Sequence, residues 1–168
     1  MLPGGHVATT YITIKTAEAL GASIDPKETL IILAAGLIPD IDLFFGMVNG
    51  KTGEKHHQQI THTPIELFGI AVFLAVLLKL GFVVGAISFF VMILHLFLDD
   101  LEYQLSRFRL IRKIAQPQIN WLFPFTSYPQ SQGRIESYTN ALKAYLKSYP
   151  IPQIEVGLIL IAVLWYFF

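Results

Sequence analysis

The sequence predicts an all-α protein built as an integral membrane helical bundle, and three observations carry that expectation. Hydrophobic residues make up 54% of the 168-residue chain, charged residues only 14%, and the mean hydropathy is +0.55. A soluble domain averages roughly 45–50% and 25%. From Leu67 to Leu98 the chain carries one charge, Lys79. A further apolar run, Ile151 to Phe168, closes on Trp165-Tyr166-Phe167-Phe168, the residue types that form aromatic belts at membrane interfaces. The length suits one domain, residues 1–168. Zero net charge argues against a nucleic-acid partner, and the absence of cysteine excludes disulfides and Cys-ligated zinc. Met1-Leu2-Pro3-Gly4-Gly5 lacks the basic n-region of a cleavable signal peptide.

Taken in order, residues 6–20 read as a first helix, with Val7, Tyr11, Ile14 and Ala17 as a partial apolar stripe and Gly21 as its end. Asp25-Pro26-Lys27-Glu28 is a helix start, with Asp25 as N-cap, Pro26 at the first position and Glu28 at the third. The second helix, about 28–40, runs to Pro39, which lacks the amide hydrogen needed to continue. Either helix could span the bilayer or pack as a buried element. Gly46 to Ile60 reads as a loop. The apolar run from Leu67 to Leu98 would measure about 48 Å as one helix, too long for a hydrocarbon core of roughly 30 Å. Two transmembrane helices, 64–79 and 82–100, with a turn at Lys79-Leu80-Gly81, accommodate it. Asp100 and Glu102 read as solvated flank, and Arg107 to Lys113 as a basic segment suited to an anionic leaflet. Residues 115–133 read as a surface loop around Trp121-Leu122-Phe123-Pro124-Phe125, and 134–148 as an interfacial amphipathic helix. A third span covers 151–168.

Four ligand-type clusters then fall at element ends: Gly5-His6, Asp40 with Asp42, His57 with His62, and His95 with Asp99. Each has a plainer reading: a solvated His6, a polar turn after Pro39, a His-rich loop. His95 and Asp99 are four apart, so they share one helical face, and ionisable groups near a span are functional candidates by default. The hairpin brings His62 and His95 to one end, and a hairpin of the first two helices does the same for His6 and Asp40. The coincidence of all four clusters predicts a metal site at the helix ends on one membrane face. Lys51, Lys55, Arg107, Arg109, Arg112, Lys113 and Arg134 lie on the histidine side and Lys79 opposite, which turns that face to the cytoplasm. Ser88 sits mid-span without a nearby base, so a serine-histidine mechanism is unsupported.

The order Gly5-His6, Leu37-Ile38-Pro39-Asp40-Ile41-Asp42, His57-x-x-x-Thr61-His62-Thr63 and His95-x-x-x-Asp99 resembles the YdjM-like family of membrane-bound, metal-dependent hydrolases. The resemblance covers about residues 4–125, and its motifs look distantly similar to those of zinc-dependent phospholipase C. It implies His6, Asp40, Asp42, His57, His62, His95 and Asp99 as metal ligands. Gln58 and Gln59 stand where the family has Arg and Gly, which removes a bidentate phosphate binder. The implied activity is hydrolysis of a phosphoester, with lipid-linked substrates such as phospholipids or polyprenyl phosphates at an advantage. Two or more divalent ions, zinc or manganese by their mixed N/O ligands, would activate water, with Asp40, Asp42 or Asp99 bridging ions or acting as base. The rivals are a membrane-anchored, protein-binding regulator with a structural metal, and an ion transporter.

Overall fold

The computed structural model describes residues 1–41, 62–108, 110, 119–126, 143, 145–147 and 149–167, and these are helical with no strand among them. Helix α1 spans Pro3–Ala19, starting three residues before the expected residue 6, because Pro3 occupies the first position that proline favours. Gly21, at φ +98°, turns the chain after it, a conformation that disfavours any side chain with a Cβ. Helix α2, Pro26–Ala35, opens on the expected capping box: Asp25 accepts from the Glu28 amide at 2.8 Å, and Glu28 accepts from the Asp25 amide at 3.0 Å. The predicted continuation to residue 40 is corrected. The helix stops before Gly36, and Ile38–Asp40 forms a separate 3-10 turn that carries Asp40. At 10 residues, about 15 Å, α2 is too short to cross a bilayer.

The apolar run splits as its length requires. Helix α3 is Pro64–Leu77 and helix α4 is Phe82–Asp99, joined by a turn in which Lys79 has φ +53°. Only α4, with 18 residues, is long and apolar enough to cross a membrane among the described residues; α3 is apolar but shorter. A short helix α5, Leu101–Arg107, follows directly. Helix α6, Ile151–Phe167, is the third apolar helix at 17 residues and packs along α1.

The core is a layer of Ile14, Ile32, Ala35, Leu67, Ala71, Val91, Met92 and Leu96, drawn from α1 to α4. Ile119 completes it, and Trp121 packs against it. The stretch read as a surface loop is therefore partly core, because Ile119 supplies apolar area that the helix ends leave uncovered. Phe123 and Phe125 do face outward, Phe125 at 90% exposure. The predicted loop at 46–60, most of the basic segment at 107–113 and most of the helix at 134–148 lie outside the described residues.

Candidate metal centre

Three element ends meet at the C-terminal end of α4. His95 and Asp99 share a face there, with His95 Nε2 3.2 Å from Asp99 Oδ2. The 3-10 turn after α2 brings Asp40 Oδ1 to 3.4 Å from the same imidazole nitrogen. The residues leading into α3 bring His62 Nε2 to 4.0 Å from Asp99 Oδ2. One ligand atom from each of Asp40, His62, His95 and Asp99 lies within 4.8 Å of every other, so four donors surround one small volume. His62 and His95 are at most 2% exposed.

The tautomer of His95 follows from its other nitrogen. Nδ1 lies 2.7 Å from the Gly36 carbonyl oxygen, which only accepts, so Nδ1 carries the hydrogen. Nε2 then faces two carboxylates, which only accept, so it either carries a second hydrogen or shares a cation with them. His95 Nε2 and Asp99 Oδ2 are both buried without a hydrogen-bond partner among the described residues. Buried carboxylates around this nitrogen are costly unless a proton or a metal ion lies between them. The residues therefore fit a metal ion: two imidazoles and two carboxylates, a mixed N/O set suited to zinc or manganese. The Gly36 carbonyl holds the ring as partners of metal-bound histidines do.

His6 stands beside this group. Its Nε2 lies 3.1 Å from Asp99 Oδ1, the oxygen turned away from His95, and its ring stacks on His95 with centroids 3.6 Å apart. A carboxylate only accepts, so His6 donates Nε2–H. Burial lowers the His6 pKa, which favours neutral imidazole, although its hydrogen bond to Asp99 acts in the opposite sense. The amino group of Met1 also approaches Asp99 Oδ1, at 2.7 Å.

Of the expected ligands, Asp40, His62, His95 and Asp99 form the group and His6 contacts it through Asp99. The plainer readings of a solvated His6 and of Asp40 as a polar turn alone are corrected. Asp42 and His57 lie outside the described residues. Asp100 is a further correction. Read as solvated flank, it is fully buried, and it accepts from Trp121 Nε1 at 3.0 Å and from Gln104 Nε2 at 2.8 Å. The Glu102 side chain is outside the described set. Sequence reasoning passed over Glu155, 4% exposed in α6, although a lone acid in an apolar helix is the signal that marks such a residue.

A family model described as YdjM inner membrane protein matches residues 1–168, the whole chain. No curated protein and no solved structure matches it.

Proposed function

The chain belongs to the YdjM inner membrane protein family, and from that premise we propose that it is a membrane-bound, metal-dependent hydrolase acting on phosphoesters. The observation that carries the reading is the convergence of Asp40, His62, His95 and Asp99 from three separate elements into one buried group of donors. When bound, a divalent ion there would supply Lewis acidity, polarising a phosphoryl oxygen and acidifying water. Asp40, His62, His95 and Asp99 would hold it, with Asp42 and His57 as the further ligands that the family pattern implies. Gly36 fixes the His95 ring and His6 orients Asp99. Asp40 is the most accessible member of the group, its side chain 14% exposed, and is the carboxylate best placed to take a proton from an incoming water.

The group sits where helices end, at the depth of lipid head groups, and Arg107 at the end of α5 is joined in sequence by Arg109, Arg112 and Lys113. A lipid-linked phosphoester would reach it by diffusion in the leaflet, with basic groups raising its local concentration. On the positive-inside rule this face is cytoplasmic.

Protein purified without chelator is expected to carry at least one divalent ion per chain and to cleave a phospholipid in mixed micelles faster than its soluble head-group analogue. Asp99→Asn should lose both metal and turnover. Absence of stoichiometric metal sinks the proposal. Equal rates on the two substrates, unchanged when Arg109 and Arg112 become Gln, sink its lipid part alone. A second reading has one observation in its favour: four converging donors suffice to close a tetrahedral shell, as in structural sites. Full metal loading without turnover on either substrate would favour that regulator.

A further inference from the structure

We infer that Glu155 is a positioning residue for this centre: it clamps the first turn of α1 so that His6 meets Asp99. What that contact is for rests on the metal-site reading above; the clamp itself rests on geometry. Glu155 is the only charged residue of α6, and it is buried. A carboxylate in that setting is costly unless it is neutralised and hydrogen-bonded. It is bonded from three directions. Oε1 accepts from the Gly5 amide at 2.9 Å, a hydrogen that the Leu2 carbonyl shares at 3.0 Å. Oε2 accepts from the Leu2 amide at 3.3 Å and from the Tyr145 hydroxyl.

The first turn of a helix presents amides with no intrahelical partner and a partial positive charge, so an anion there is stabilised while it fixes the turn. Helix α1 has no side-chain cap of its own at Leu2, and Glu155 fills that role from another helix. Glycine favours the approach. A Cβ on Gly5 would lie 3.0 Å from Glu155 Cγ and 3.1 Å from its Cδ. The next residue is His6, whose ring donates to Asp99 and stacks on His95. This gives the Gly5-His6 pair a division of labour: glycine admits the carboxylate, and histidine reaches the centre. Tyr145 and Glu155 both lie beyond residue 125, so the C-terminal helix has a task at the centre besides residence in the bilayer. Burial and the Glu155 bond push the Tyr145 phenol up, which keeps it a donor at any working pH.

The test reads His6 without metal. In chelator-stripped protein in detergent, diethyl pyrocarbonate modification is followed residue by residue by mass spectrometry. Wild type should protect His6 and His95 alike. Glu155→Ala should raise the His6 rate at least tenfold and leave His95, held by the Gly36 carbonyl, unchanged. Glu155→Gln, which keeps an acceptor and loses the charge, should fall between them. Where Glu155→Ala is not recovered folded, Gly5→Ala presses on the same carboxylate and should expose His6 in the same selective way. An unchanged His6 rate, or His6 and His95 rising together, overturns the inference, the latter because it reports general loosening. A zinc titration run in parallel separates the two ideas. If wild type binds zinc, Glu155→Ala should weaken binding about tenfold, and in a His6→Ala background it should add nothing; equal losses in both backgrounds overturn the inference. If wild type binds no zinc, the metal reading falls and the labelling result alone decides the clamp.

Discussion

Gly36, just past the end of α2, packs against Thr10 of α1 and also serves His95 of α4. A Cβ there would sit 2.2 Å from Thr10 Oγ1, 3.2 Å from its Cβ and 3.3 Å from its Cγ2, so a larger residue fits only if Thr10 shifts. Its carbonyl accepts from His95 Nδ1 and so fixes which nitrogen of that ring faces the carboxylates. Gly36→Ala is expected to lower stability by about 1–3 kcal/mol, as overpacking of a closed contact does. Because it also shifts the carbonyl, metal affinity should fall by about tenfold or more, the scale of lost outer partners of a metal-bound histidine. Thr10→Ala in the same chain removes Oγ1 and Cγ2 and should restore much of both. Thermal unfolding in detergent and a zinc titration check this. A Gly36→Ala protein that melts and binds like wild type would mean that the contact does not seat His95.

At the scale of elements, the informative piece is the segment 119–126 against the start of α5. Ile119 enters the core, while Trp121 donates to Asp100, the fully buried neighbour of the site residue Asp99. This ties an irregular stretch to the end of α4, and Leu122, Phe123 and Phe125 remain outside as apolar surface. Trp121→Phe keeps most of the packing and deletes one donor to a buried carboxylate. The expected cost is about 1–3 kcal/mol, measured as a lowered unfolding midpoint in detergent. A midpoint equal to wild type would show that the other partners of Asp100, Gln104 among them, suffice to hold it.

For the molecule as a whole, the prediction concerns orientation. The turn at Lys79 and the centre at Asp99 lie at opposite ends of the α3–α4 hairpin. The chain has no cysteine, so single introduced cysteines report without background. With the centre on the cytoplasmic face, Lys79→Cys should react with a membrane-impermeant maleimide in intact cells, and Lys51→Cys only after the membrane is opened. The opposite pattern would place the centre outside. It would leave the centre's geometry untouched and remove the argument from basic residues.

The class of the fold was legible because it rests on local signals. Asp25, Pro26 and Glu28 start α2 by side chain-to-backbone bonds within one turn, and the length of the Leu67–Leu98 run forces a hairpin through the fixed rise of a helix. Asp40, His62, His95 and Asp99 were legible as ligand types at element ends, and His95 with Asp99 as one face, since helical period alone brings them together. The remaining features needed the tertiary structure, because they depend on contacts between residues far apart in sequence. The approach of Gly36 to Thr10 on another helix is one such contact. The burial of Asp100 is set by Trp121, and the role of Gly5 by Glu155, 150 residues away. No periodicity encodes such pairs. Glycine, aspartate and glutamate carry the same local preferences whether they face water or each other, and only packing decides which.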